Sequence, residues 1–348
     1  MGKRETISDV AQAAHVSATT VSRYLNQNYQ KMSDATKARI ARVISELNYS
    51  PSSSARQLRQ KDSKLVGVLV GDIANPFSSL MTKGIYDVLQ PAGYDIQLMN
   101  SNDSNESESR HLDRLIEQRA DGIIAQPSSA SFSQFERCRV NGIPIIIVDR
   151  TMKDLPADVG YVTSENYDAC YRLGQVLVDY GYQNVISVSS RLAEASGQIL
   201  RIKGLMQTTH DHQLQYVNLE MRDGNVAWLE KELQDNLQEL SGRTVIVSLM
   251  GPLLFNLLDI LKHLNLTFPD DLGLISFDDW DWSRFVGNGI FLLRQDMELM
   301  GSRAAQLLLD AIHDPQKELG TEYLPVTTVE RPSIMTTRFT GGHDCPPA

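Results

Sequence analysis

Cysteine is scarce in this chain: Cys138, Cys170 and Cys345 are odd in number and show no CxxC spacing, which excludes a disulfide framework and a thiolate zinc site. The seven histidines, His210, His212 and His343 among them, lack metal-ligand spacing, so neither metal nor cofactor is expected. No apolar run approaches the roughly 18 to 20 residues that a membrane span needs. Met1-Gly-Lys-Arg leads straight into a helical pattern rather than a signal-peptide core, and a cytoplasmic protein without membrane contact is the expectation. Catalytic signatures are missing too: there is no GxSxG elbow, no GxxxxGK[ST] loop, no HExxH and no GxGxxG. An enzyme is not expected.

What is present divides sharply by charge. Residues 1–64 hold 11 Lys/Arg against 5 Asp/Glu, whereas residues 65–348 hold 22 against 38. A basic head on an acidic body suits contact with a phosphate backbone at one end only, since cations there release condensed counterions while the body is repelled.

Within the head, Thr6 to Asn26 (TISDVAQAAHVSATTVSRYLN) places apolar side chains at Ile7, Val10, Ala11 and Ala14, then at Val16, Val21 and Leu25. That spacing predicts two short helices sharing one core, a helix-turn-helix. Thr6 or Ser8 caps the first helix, and Ser17 caps the second. The first turn of the second helix then presents Ala18, Thr19 and Thr20, followed by Ser22 and Arg23, short side chains and one guanidinium able to meet base edges and phosphates in a major groove. A third segment, Ser33 to Leu47, offers Ala38, Ile40, Ala41, Ile44 and Leu47 to close the core and leaves Arg39 and Arg42 outside. Beyond it, Asn48 to Asp62 is serine-rich, with Pro51 as a break. Ser52 or Ser53 can cap a short helix through Gln60 whose one large apolar side chain is Leu58, flanked by Arg56 and Arg59. So short a helix needs a partner that covers Leu58.

From Lys64 onward, apolar runs at Leu65–Val70, Ile96–Asn100, Gly122–Ala125, Ile143–Val148, Val185–Val188, Tyr216–Leu219, Val245–Leu249 and Leu272–Phe277 alternate with amphipathic segments such as Phe77–Gln90, Glu106–Gln118, Tyr167–Tyr180 and Pro252–Leu264. This is a repeated βα pattern of buried parallel strands. Ile290 to Arg294 leads into a last helix, Met297 to Ile312, so the chain crosses back between two α/β halves. Ligands of such sheets bind beyond the carboxyl ends of the strands. Asn75-Pro76-Phe77, Asp149-Arg150, Arg201 (opening a helix after Val185–Val188) and Asp278-Asp279 occupy those places and suit a polyhydroxylated or anionic small molecule. Trp280 and Trp282 offer faces for a sugar, or pack against the neighbouring half.

TISDVAQAAHVS, TTVSRYLN, ARIARVISELNYSPSSSARQLRQ, LVGVLVGDIANPF, DGIIAQP and SFDD, in that order, resemble the LacI/GalR bacterial transcription repressors across nearly the whole chain. The resemblance implies an N-terminal all-α helix-turn-helix headpiece (1–50), a hinge helix or linker (51–64) and an α/β two-lobed domain like the periplasmic binding proteins (65–348). Lobe 1 would span about 65–165 and 296–320, and lobe 2 about 166–295 and 321–340. It implies DNA contacts from Thr6, Ser17, Ala18, Thr19, Thr20, Ser22, Arg23, Asn26, Tyr49, Ala55 and Arg56. Paired hinge helices of a homodimer would enter the minor groove, with Leu58 wedged into a central base step of a pseudo-palindromic double-stranded operator. It implies an effector held by Asp149, Arg150, Arg201 and Asp278 with Phe77 on the pocket wall, to which Asn166 and Trp280 add.

Departures from the family are His15 in place of a turn glycine, Ser52 where asparagine is common, Glu165-Asn166 for Asp-Asn, and Met250-Gly251-Pro252 where an acid or amide is usual. The pairing of FDDWDW with SLMGP is similar to the branch that regulates sugar-acid use, where 2-keto-3-deoxygluconate-type effectors occur. A small sugar or sugar-acid effector is thus expected, with a protein corepressor as the alternative. The C-terminus lacks leucine heptads, which favours a dimer over a tetramer.

Overall fold

In a computed structural model, the described residues are 5–30, 32–49, 62–192, 195–278 and 281–335, and the chain divides into two compact units, residues 1–63 and 64–348.

The first unit contains α1 (Ile7–Ala13), α2 (Ala18–Leu25) and α3 (Asp34–Glu46). Each begins on a side-chain cap: Thr6 with Asp9 forms a capping box, Ser17 accepts from Thr20 N, and Ser33 accepts from Thr36 N. Val10, Ala14, Val21 and Ile40 are wholly buried, and full burial of an aliphatic side chain contributes about 1.5–3 kcal/mol. Val43 joins that core, whereas Ala38 and Ala41, expected inside, lie on the exposed face of α3. The helix ends share one device. His15, Gln27 and Asn48 each sit just past a helix with φ near +50°, and the next amide reaches back into the last turn: Val16 N donates to Ala11 O, Asn28 N to Arg23 O and Tyr49 N to Ile44 O. This is the Schellman arrangement, run here on residues that tolerate the left-handed region less well than glycine.

The second unit holds two lobes. The first alternates β1 (Leu65–Val70), α4 (Pro76–Leu89), β2 (Asp95–Asn100), α5 (Asn105–Glu117), β3 (Gly122–Ala125), α6 (Glu136–Val140), β4 (Ile145–Val148) and β5 (Gly160–Ser164). The second runs α7 (Asn166–Asp179), β6 (Asn184–Ser190), α8 (Ser196–Asp211), β7 (Gln215–Met221), α9 (Val226–Glu239), β8 (Thr244–Ser248), α10 (Gly251–His263), β9 (Gly273–Phe277) and β10 (Phe291–Arg294). The chain then returns through α11 (Met297–His313) and β11 (Thr321–Leu324) to the first lobe and ends in β12 (Thr327–Val329) in the second. The sheet orders are β11-β5-β4-β3-β1-β2 and β12-β10-β9-β8-β6-β7, parallel throughout except for β12 on β10.

Residues 321–324 therefore pair with β5 in the first sheet, not with the second lobe as expected, and the last crossing falls at Pro325-Val326. The inner strands β1, β3, β4, β8 and β9 are largely aliphatic and buried because helices cover both faces. α11 lies so close to α4 that a Cβ on Gly84 would overlap the carbonyl oxygen of Glu298, and one on Gly301 that of Met81.

Candidate functional site

The recognition surface of the first unit is the start of α2. Ala18, Thr19, Arg23 and Asn26 are exposed, and Thr20 and Ser22 are half-buried. Ser17 Oγ accepts from Thr20 N at 3.2 Å and lies 2.9 Å from Thr20 Oγ1, so these two side chains hold the helix start together. No acidic residue stands in the first turn of α2, which leaves the partial positive charge of its N-terminus open to a phosphate. Thr6 remains exposed while its hydroxyl donates to Asp9 Oδ2 at 2.6 Å. Tyr49 is half-buried against the headpiece core. Ala55, Arg56 and Leu58 lie outside the described residues.

In the second unit the carboxyl ends of the two sheets face a cleft lined by residues of both lobes. Phe77, the second residue of α4, is buried at its wall, behind the Asn75 cap. Arg201 projects from the second turn of α8 instead of opening the helix, because that helix begins at Ser196. Its guanidinium is buried, donating Nε to Asn166 Oδ1 at 2.8 Å and Nη1 to Leu249 O at 2.5 Å, with Cζ 3.7 Å from the centroid of the Phe277 ring. Among the described residues no carboxylate lies within ion-pair distance of it. Burial lowers its pKa, against the pull of Asp278 and Asp149.

Asp278 follows β9 at φ 55° and accepts from Gln295 twice, through the backbone N at 2.8 Å and Nε2 at 2.6 Å. Burial pushes its carboxyl up to about 6, with Arg201 opposing. Asp149, also at positive φ, accepts from Gln126 Nε2 at 2.7 Å, and Gln126 Oε1 in turn accepts from Gly71 N at 3.0 Å.

Arg150 lines the cleft but is already engaged: Nη1 donates to Asp103 Oδ1 at 2.7 Å and to Pro127 O at 3.1 Å. Asn166 is buried, donating Nδ2 to Ser164 O and accepting from Arg201 Nε, and so it holds Arg201 in place. Trp280 and Asp279 lie outside the described residues, and Trp282 stacks on Phe255 at 4.5 Å, within the second lobe. Met250 to Pro252 do line the cleft, so one side of it is apolar where Gln198 Nε2 meets Met250 Sδ at 3.7 Å.

Sequence reasoning passed over Asp103, Gln126, Arg191, Gln198 and Gln295, all on the wall. Gln126 and Arg191 directly follow β3 and β6, so the strand-end rule would have found them. The resulting surface combines buried guanidiniums, carboxylates and amides, able to bind hydroxyl groups in both directions and to receive an anion at Arg201.

Two family models meet these two units. Residues 6–52 match the model described as bacterial regulatory proteins, lacI family, and residues 63–238 match periplasmic binding proteins and sugar binding domain of LacI family. The chain belongs to the LacI family. A further model, a periplasmic binding protein-like domain, matches residues 175–334. Among LacI-family relatives, the HTH-type transcriptional regulator KdgR of Bacillus subtilis is 29% identical over 94% of this chain and 97% of its own. The regulator PtxS of Pseudomonas putida is 32% identical over 88% and 89%, and the ribose operon repressor of Lactococcus lactis 30% over 96% and 99%.

Solved structures agree on the fold. A lac repressor dimer bound to operator superposes with a TM-score of 0.80 at 23% identity, covering 96% of this chain and 100% of that one. A LacI-family regulator from Enterococcus faecium with bound ribose gives 0.68 at 26% identity, covering 77% and 98%. As a LacI-family member the chain is a DNA-binding transcriptional regulator and not an enzyme. No helix among the described residues is long and apolar enough to cross a membrane.

Proposed function

We propose that this regulator represses a carbohydrate-use operon from the cytoplasm, binding a pseudo-palindromic operator as a homodimer and responding to one small sugar or sugar acid held between its lobes. The observation that carries the effector reading is Arg201: a buried guanidinium at the cleft wall, clamped by Asn166 and Leu249 O, with no carboxylate in ion-pair distance among the described residues. A buried cation is costly unless an anion or several hydrogen-bond acceptors complete its shell. A sugar-acid carboxylate meets that need, while Asp149, Asp278 and Gln295 on the same wall receive its hydroxyls. The names of KdgR and of the ribose operon repressor support carbohydrate control, and nothing in the cleft calls for a protein corepressor.

In this reading residues 1–50 are the headpiece, 51–64 the hinge and 65–348 the effector and dimerisation domain. Residues 296–324 then belong to lobe 1, and lobe 2 resumes at Thr327. Ala18, Thr19 and Arg23, with Thr20, Ser22 and Asn26, read the half-site; Thr6, Ser17 and Tyr49 lie along the backbone, and Arg56, Ala55 and Leu58 meet the minor groove. Effector binding alters the relation of the lobes and hence of the two hinges. A thermal-shift screen of sugars, sugar acids and their phosphates tests the reading, with Arg201→Gln as control. A stabilising sugar or sugar acid that no longer acts on the variant supports it; a full set without any hit contradicts it.

A further inference from the structure

Asp103 lines the cleft from the loop between β2 and α5 and belongs to neither sheet. It sits three residues past β2, at φ 53°, with its amide donating to Gly71 O at 3.0 Å. Only 7% of its side chain is exposed. One oxygen accepts from Arg150 Nη1 at 2.7 Å in the first lobe, and the other from Arg191 Nη1 at 2.5 Å in the second. Gly71 leaves room for the arrangement: a Cβ there would overlap Asp103 Oδ1 and come within 2.9 Å of Arg150 Nη2. Arg191, at φ 52° directly after β6, is 46% exposed at the cleft mouth. A second bond joins the lobes beside it, Thr151 N donating to Ser196 Oγ at 2.7 Å.

We propose that Asp103 is an anion supplied by the chain itself, occupying the place between Arg150 and Arg191 that a second anionic group of a ligand would take, and so determining the specificity of the cleft. The site then admits an effector with one anionic group, received by Arg201, and rejects phosphorylated or dicarboxylate relatives, which would meet Asp103, Asp72, Asp149 and Asp278 without a free pair of guanidiniums. The same carboxylate ties the lobes together. This inference rests on the cleft being the effector site, but its test needs neither effector nor DNA.

The probe is inorganic phosphate at matched ionic strength, read by thermal denaturation of the full chain. The wild-type response, from Arg201 and the first unit, is the baseline. Asp103→Asn uncovers two converging guanidiniums and gains stability with phosphate by mass action, and adding Arg191→Gln removes that gain. Equal responses of wild type and Asp103→Asn, or a gain that survives Arg191→Gln, would overturn the proposal. Should Asp103→Asn not fold, Arg191→Gln alone, at an exposed position, is followed by hydrogen exchange of the Thr151 amide. Several-fold faster exchange than in wild type is expected, and an unchanged rate contradicts the interlobe tie. An effector screen without hits would instead sink the proposed function and leave the phosphate contrast standing.

Discussion

Arg201 sits over the Phe277 ring, its Cζ 3.7 Å from the centroid, so a cation from α8 is set against the last residue of β9. The ring covers one face of the guanidinium and Asn166 and Leu249 O take two of its edges, which leaves the remaining edge for the cleft. A lysine cannot reproduce this, because a point charge lacks the planar fork.

Arg201→Gln is expected to raise the half-effective effector concentration about 10- to 100-fold, the loss of one charge-assisted hydrogen bond, while operator affinity without effector stays near wild type. Arg201→Lys should fall close to the glutamine variant. Titration of operator-bound protein by fluorescence anisotropy checks both; a lysine variant with wild-type response would show that charge alone suffices.

In the headpiece, Arg23 is the exposed cation of α2. Arg23→Ala should weaken operator binding by about 1–3 kcal/mol and flatten its salt dependence. Substitution of Ala18 or Thr19 should change which half-site is preferred in a selection from random DNA. Unchanged operator affinity of Arg23→Ala would remove it from the interface.

Gln27 closes α2 with φ 55°, a conformation that costs an L-residue roughly 1–2 kcal/mol. Gln27→Gly is therefore expected to raise the melting temperature of the headpiece transition by a few degrees, the relief of strain exceeding the added chain entropy. No change in calorimetry would show that the strain is compensated elsewhere.

Burial raises the Asp278 carboxyl from its ordinary value to about 6, with Arg201 opposing. The folded chain therefore binds this proton more tightly than the unfolded chain does. Its contribution to stability grows as pH falls from about 6 toward 4 and is lost as pH rises through that window. In Asp278→Asn the part of the pH dependence between about 4 and 6 should disappear, so the two melting curves converge at low pH and part at neutral pH with the variant higher, provided the amide keeps its bonds to Gln295. Parallel profiles would assign the titration to another group.

The headpiece was legible because its signals are local. Ser17 and Ser33 precede their helices by one residue, and His15 stands where a turn needs positive φ. Strands such as β1, β3, β4, β8 and β9 were legible because burial on both faces makes them continuous apolar runs, whereas β5 (GYVTS), equally buried, is broken by glycine, threonine and serine and was passed over. β11 (TEYL) and β12 (TTV) were not, since short edge strands with exposed polar side chains carry no such run. Ala38 and Ala41 were misread because alanine fits an exposed helix face as well as a core, and Val43 had the stronger claim. The Asp103–Arg191 bond joins residues 88 positions apart from loops of different lobes, and no periodicity or spacing announces such a pair. The Asn166–Arg201 bond, between residues 35 positions apart, was equally unannounced.

The central claim is that a small sugar or sugar acid between the lobes controls operator binding. The most direct measurement takes DNA selected from a random pool by the full chain and follows its anisotropy while sugar acids, 2-keto-3-deoxygluconate first, and neutral sugars are titrated against wild type and Arg201→Gln. At least one such carbohydrate is expected to change operator affinity in wild type and, in the variant, to do so only at about 10- to 100-fold higher concentration. A response that persists undiminished in Arg201→Gln, or operator binding indifferent to every carbohydrate tried, would contradict it.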